Sequence, residues 1–210
     1  MRRLKYLAVF MAMLFGCAAP KETPAPAPPP PEIAEEESAG DNTEQEKTGS
    51  EPVPEPPMPK ETELTSKSTP LVDKKENRLK NISLAVEAAN QTIVKPGEEF
   101  SFNNTVGART PKKGYKKAII FVDKKKVKEI GGGVCQLATT IYQAAVAADL
   151  EIVERHEHKL DVTYAQKGED ATVFYGKLDM RFKNTTQQNL RVECSMDGEQ
   201  VVVRLVAIGN

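Results

Sequence analysis

Proline is confined almost entirely to one end of this chain. Twelve of the fifteen prolines lie before residue 60, in the tract "APKETPAPAPPPPEIAEEESAGDNTEQEKTGSEPVPEPPMPKETE". Glu, Ser and Thr fill most of the remaining places. Such a tract has too little apolar surface to offset the entropy of ordering it. Any folded core must therefore be built from the residues beyond it. Between residues 18 and 70 there are twelve acidic and four basic side chains. A Pro-rich chain favours extended polyproline II at about 3.1 Å per residue, so fifty-odd residues reach roughly 100–150 Å. The expected organisation is a disordered linker up to residue 70 and a single folded domain over 71–210.

Ahead of the linker stands "MRRLKYLAVFMAMLFGCAAP". A basic start (Arg2, Arg3, Lys5) precedes an apolar run from Tyr6 to Phe15. That run is short for a bilayer span and has the form of a secretory signal. It ends in Leu14-Phe15-Gly16-Cys17, which resembles the bacterial lipobox. Residues 1–16 are then a lipoprotein signal peptide, and Cys17 is the lipidated first residue of the mature chain. Multiple acyl chains on one residue suffice for stable anchoring. The protein is expected outside the cytoplasm, held to a membrane through its N-terminal lipid. There it meets cell wall and no nucleic acid.

With Cys17 lipidated, Cys135 and Cys194 are the remaining thiols. Two cysteines in a domain of this size do not form a disulfide framework, so both are expected to be free. From Leu71 onward, 22 Lys and Arg stand against 18 Asp and Glu. The excess sits in "RTPKKGYKKAIIFVDKKKVK". It is read first as a solvated hairpin face and second as an attraction for anionic wall polymer.

The hydrophobic periodicity alternates along the domain. Leu79, Ile82, Val86 and Ala89 form one helical stripe. "KPGEEFSFN" reads as a turn and a strand, and "KAIIFVDKKKVKEI" as a hairpin. A helix runs from about Val134 to Ala148, with Val134, Leu137, Ile141, Ala145 and Ala148 as its apolar stripe. "EIVERHEHKLDVTY" alternates as a strand with Ile152, His156, His158 and Leu160 facing inward. "ATVFYGKLDMRFKN" reads as another strand, and "NLRVECSMDGEQVVVRL" as a hairpin about Asp197-Gly198. The fold class is α+β: a compact domain of mixed, mainly antiparallel sheet with a few helices.

The chemistry concentrates in "IGGGVCQLATTIYQAAVAADLEIVERHEHKL". Gly131, Gly132 and Gly133 allow positive φ and close approach to the backbone. Cys135 falls in the first helical turn, where the dipole and unpaired N–H groups favour a thiolate. Those N–H groups can serve as an oxyanion hole, and the Gln136 side chain can add a donor. A Cys nucleophile needs an imidazole partner, which His156 or His158 supplies. Asp170 or Glu154 can orient the ring. A His-x-His pair with Cys135 also suggests a zinc site, but the nucleophile is the preferred reading, with no metal and no cofactor.

These stretches resemble the VanW-like domain family. The resemblance runs from about Asn77 to Val203. It rests on Asn77-Arg78, "KPGEEFSFNNTVGARTPKKGY", "GGGVCQLATTIYQAA", "EIVERHEH", and "GEDATV" with "LDMRFKN" after it. Some members are peptidoglycan L,D-transpeptidases, with the Cys of the glycine-rich motif as nucleophile. The resemblance therefore implies that Cys135 attacks a tetrapeptide stem, expels D-Ala and forms a thioester. An amine on a neighbouring stem resolves it as a 3→3 cross-link. His158 is preferred over His156 as base on the same grounds, and Arg109 is expected to grip a stem carboxylate. A Cys amidase or endopeptidase on the same stems, and a non-catalytic wall-binding module linked to glycopeptide resistance, remain the alternatives. Oligomeric state is not legible.

Overall fold

The computed structural model describes residues 60–122 and 125–209. The expected signal peptide, Cys17 and the expected linker up to residue 59 lie outside the described residues. Among the described residues there are nine strands and three α-helices. In chain order these are β1 (Glu61–Pro70), α1 (Glu76–Ala89), β2 (Thr92–Val94), β3 (Glu99–Ser101) and α2 (Phe102–Val106). A 3-10 turn at Pro111–Lys113 leads to β4 (Lys117–Val122), β5 (Lys125–Ile130) and α3 (Cys135–Ala147). The chain ends with β6 (Glu151–Glu154), β7 (Arg181–Lys183), β8 (Asn189–Met196) and β9 (Gln200–Ile208). Every strand pair among them is antiparallel. The α+β class is as expected.

The largest sheet has the order β1-β9-β8-β2. Alternation along β8 and β9 buries Leu190, Val192, Cys194, Val201, Val203 and Leu205 on one face, as a period of two requires. The β8–β9 turn is closed by Asp197, whose Oδ1 accepts the N–H groups of Glu199 and Gln200, each at 2.9 Å. Helix α1 packs on β8, and α3 packs on β1 and β9. α1 contributes Ile82, Ala85 and Ala89 to this core, and α3 contributes Leu137, Ile141 and Ala144. A second sheet, β3-β7-β6, centres on the stacked pair Phe100 and Phe182, opposite one another across β3 and β7. The β4–β5 hairpin forms a third.

Three expectations need correction. First, the domain starts ten residues before Leu71. Strand β1, "ETELTSKSTP", pairs with β9 from Glu61↔Ile208 to Pro70↔Gln200. Only Thr69 of its side chains is buried, so no apolar alternation marks it. Its polar character suits an edge strand, where charged side chains discourage pairing with other chains. Buried contacts near its C-terminal end fix it. Thr69 Oγ1 lies 2.8 Å from Thr140 Oγ1, and Gln136 Nε2 donates to Thr69 Oγ1 and to the Pro70 carbonyl.

Second, the strand holding the histidines ends at Glu154. Its partner β7 is only three residues long, so His156 and His158 leave the sheet. Their positions are set by side-chain bonds and by the Thr172 N–H donating to the His156 carbonyl at 2.8 Å, not by strand alternation. Third, "ATVFYGKLDMRFKN" is mostly not a strand. It contains one isolated bridge, Phe174↔Leu178, before β7 begins at Arg181.

The first correction is testable by truncation. A chain starting at residue 60 should melt with the full-length domain. A chain starting at Leu71 should lose about 3 kcal/mol or more, because the buried Gln136 carboxamide loses all its β1 acceptors at about 1–3 kcal/mol per unsatisfied group. Equal denaturation midpoints for the two chains would show that β1 is dispensable.

Candidate active site

The site begins with the loop before α3. Gly131 has φ +81° and Gly133 φ +105°, values that other residues rarely adopt. What approaches this backbone is the protein itself. A Cβ on Gly131 would lie 2.9 Å from Arg109 Cβ, and one on Gly132 would lie 2.9 Å from the Ala118 carbonyl oxygen. One on Gly133 would lie 2.8 Å from Arg78 Cγ. The triplet therefore seats two arginines and strand β4 against one turn of chain. Asn81, fully buried, secures the arrangement by donating to the carbonyls of Lys116 and Gly132 and accepting the Lys116 N–H.

Helix α3 starts at Cys135. The N–H groups of Val134, Gln136 and Leu137 are already bonded to the carbonyls of Gly131, Gly133 and Val134. Those of Gly133 and Cys135 meet no acceptor among the described residues. The expected oxyanion donors thus narrow to these two. Gln136 is not among them, which corrects its expected role as a substrate donor. Its side chain is fully buried, its amide nitrogen holds β1, and its oxygen accepts Arg78 Nη2 at 2.7 Å.

The other half of the site is laid along α3. Gln143 Nε2 donates to the Glu169 carbonyl, and Thr139 Oγ1 bridges the N–H and carbonyl of Ala171. Cys135 Sγ lies 3.6 Å from the Val173 carbonyl oxygen and 3.7 Å from Thr172 Oγ1. The helix positions are spaced by four and the chain positions by two. Four residues of helix rise about 6 Å, and two extended residues span about 6.6 Å. Residues 169–173 therefore run antiparallel to α3 and match its turns.

This segment carries Asp170, which is buried beside the thiol helix. Asp170 Oδ2 accepts the His158 backbone N–H at 2.7 Å and approaches His158 Nδ1 at 2.6 Å. Arg155 donates to the Asp170 carbonyl at 2.7 Å and to Oδ1 at 3.3 Å. With Nδ1 engaged, Nε2 is the ring nitrogen left to act on Cys135, to which His158 is electrostatically coupled. Cys135, His158 and Asp170 thus form one constellation. His156 does not join it. Its Nε2 lies 2.9 Å from Glu154 Oε1, which corrects both its expected catalytic placement and Glu154 as orienter of the His158 ring. The three side chains of the zinc alternative accordingly do not converge.

The electrostatics reflect this geometry. Burial pushes the Cys135 thiol up, but His158, with Val173 and Thr172 adding to it, outweighs burial and lowers the thiol from its ordinary value. Burial opposes the His158 imidazolium, while Cys135 and Asp170 raise its pKa above the usual value. Burial raises Asp170, and the His158 and Arg155 bonds bring it below the carboxylate range. Both shifts run in the direction that favours a thiolate–imidazolium pair.

Three groups near the thiol were not singled out from the sequence as site residues. Arg78, 8% exposed, stands on the inner face of α1. The Tyr164 ring centre lies 6.0 Å from the Arg78 guanidinium, and burial drives the Tyr164 hydroxyl far above its ordinary pKa. Thr172 faces the sulfur. One signal was available: Cys135, Thr139 and Gln143 recur at i, i+4 and i+8, a polar stripe along one side of the helix. A concavity bounded by Thr92, Glu98, Phe100 and Asn104 includes none of these groups.

The coupling of Cys135 and His158 predicts a pH profile. Iodoacetamide should alkylate Cys135 with a midpoint below the value of about 8.5 for a free thiol. His158→Ala should move that midpoint up, because the largest opposition to burial is then lost. Asp170→Asn should shift it the same way by less. Peptide-resolved mass spectrometry across pH reads the result, and an unchanged midpoint in His158→Ala would dismiss the pairing.

The comparisons with known proteins agree with one another. The family model described as "VanW like protein" matches residues 77–206. The "Uncharacterized protein YoaR" of Bacillus subtilis is 40% identical over 129 residues, covering 61% of this chain and 43% of that protein. The "Vancomycin B-type resistance protein VanW" of Enterococcus faecalis is 28% identical over 137 residues, covering 63% of this chain and 50% of that protein. The chain thus spans half or less of the length of these curated relatives. No solved structure matches it. With the matched span covering α1 through most of β9, and with it every residue of the thiol site, the chain belongs to the VanW-like protein family.

Proposed function

We propose that this protein is a cysteine acyltransferase acting on peptidoglycan stem peptides outside the cytoplasm, held to a membrane through a lipid on Cys17. The observation that carries the reading is the Cys135–His158–Asp170 constellation, with Asp170 at 2.6 Å from the imidazole. The name of the vancomycin-resistance relative supports a wall-directed role, as does the signal-like N-terminus.

The reaction uses the groups in hand. The Cys135 thiolate attacks a stem-peptide carbonyl carbon and forms a C–S bond. The N–H groups of Gly133 and Cys135 are the candidates to hold the resulting oxyanion, in a water-poor site where fixed donors are worth most. Collapse breaks the C–N bond, and the His158 imidazolium gives its proton to the leaving amine. A thioester remains. The amine of a second stem then attacks, His158 now accepts its proton, and the thiolate departs. The product is a 3→3 cross-link, which bypasses the D-Ala-D-Ala terminus that glycopeptides bind. Asp170 keeps Nδ1 engaged throughout, so that Nε2 carries the moving proton.

The decisive measurement is muropeptide mass spectrometry after incubating the purified protein with tetrapeptide-rich peptidoglycan. Dimers with 3→3 links are expected, absent with Cys135→Ala and slowed about 100-fold or more with His158→Ala. Shortened monomers without dimers would make the protein a hydrolase, and unchanged muropeptides would make it a binding module.

A further inference from the structure

Arg109 packs on Gly131 of the loop before Cys135 and is electrostatically coupled to the thiol, and the acyl-transfer steps leave it unused. Its Nη1 donates to Asn103 Oδ1 at 2.7 Å and to the Gly107 carbonyl at 2.9 Å, both uncharged acceptors. Its Nε and Nη2 reach no acceptor among the described residues. The guanidinium carbon lies 5.4 Å from the Phe102 ring centre and 5.9 Å from that of Tyr175. Its Cβ and Cγ occupy the space a side chain at Gly131 would need. The backbone, the two rings and Asn103 therefore fix the orientation of the fork.

What this arginine lacks among the described residues is a bonded anion. Arg155, Arg181, Arg191 and Arg204 each hold a carboxylate. Asp179 is the carboxylate that Arg109 senses, yet its oxygens accept from the Ser101 hydroxyl and the N–H groups of Asn103 and Met180. A half-buried cation bears a desolvation cost that a bound carboxylate relieves. The unoccupied Nε and Nη2 lie along one edge of the planar group, the edge that grips a carboxylate with two parallel bonds. The thiolate cannot fill this place as a bidentate partner, being a single sulfur already faced by His158 and Thr172.

We propose that the Nε/Nη2 edge of Arg109 is a carboxylate subsite that binds the free carboxylate of the amino acid expelled when Cys135 attacks the preceding carbonyl. The assignment to a leaving group rests on the acyl-transfer reading. In such a substrate only the amide nitrogen and one α-carbon separate the carboxylate from the scissile carbonyl. The substrate class is then a peptide cut at its last bond. Chains capped by an amide, or extended beyond that residue, leave the fork unpaired and are rejected.

The test needs no natural substrate in its first arm. Cys135 in the full-length protein is alkylated with iodoacetate and with iodoacetamide, and the ratio of rates is read at the Cys135 peptide by mass spectrometry. The ratio cancels any change in thiolate fraction. It is expected at least tenfold above that of free cysteine, and Arg109→Gln should return it to the free-cysteine value. Arg109→Lys, which keeps charge without the fork, should fall between. A wild-type ratio equal to that of free cysteine would overturn the subsite. So would an Arg109→Gln protein in which both reagents slow equally, since the guanidinium would then serve only the thiolate.

The second arm offers a stem tetrapeptide with a free C-terminus and its C-terminal amide, and measures the Cys135 thioester. The acid should acylate the protein at least 100-fold faster, and Arg109→Gln should abolish the preference. Equal acylation by both peptides would place the bound carboxylate elsewhere in the stem and overturn the leaving-group assignment. If neither peptide acylates Cys135, that assignment falls with the acyl-transfer reading, and the alkylation ratio alone decides the subsite.

Discussion

One turn of α3 and two residues of extended chain cover nearly the same distance, and the candidate site depends on that match. Cys135, Thr139 and Gln143 present polar atoms at successive turns, and residues 169–173 answer with carbonyls and an N–H at alternate positions. A segment that satisfies its backbone this way needs no sheet partner. It brings Asp170 to a fixed place beside the thiol helix. Asp170 then captures the His158 backbone and ring together. The imidazole is positioned by a carboxylate that is itself positioned by a helix face, with no strand holding either histidine.

The glycine loop performs the complementary task. A helix start supplies free N–H groups only if the preceding chain does not consume them. Here Gly131 and Gly133 take up left-handed backbone that most residues avoid, and the turn is short enough to leave two donors free. The absent side chains also admit Arg78 and Arg109 on either side of the loop. Positive charge is thereby brought to the thiol without occupying the donors.

The features readable from the sequence were those with a strong local signature. The stripe of Ile82, Val86 and Ala89 marked α1, the Asp197-Gly198 turn marked the β8–β9 hairpin, and the glycines before an apolar run marked the start of α3. Cys135, His158 and Asp170 were named as candidates because their chemistry is specific. What could not be read was held by long-range bonds. β1 has no apolar alternation, and its place is set by β9 and by Gln136. The apparent strand through His156 and His158 fails at Arg155, which turns inward to Asp170, and β7 is too short to extend β6 that far. Gln136 has a donor in the right part of the chain, and only the structure reveals that β1 already uses it.

The chain also contains its own control for the thiol chemistry. Cys135 and Cys194 both meet a burial penalty on ionising. Cys194 sits in β8 with apolar neighbours and Glu193 beside it. Burial and that carboxylate push its pKa up to about 12. Cys135 also meets opposition from burial, yet its pKa is lowered, because His158 above all, and Val173 and Thr172 beside the sulfur, favour the thiolate. The dipole of α3 adds in the same direction within the first turn. Low dielectric penalises an unpaired ion and strengthens a paired one. The environment that would silence a lone cysteine therefore makes this one depend above all on one imidazole, and through it on Asp170.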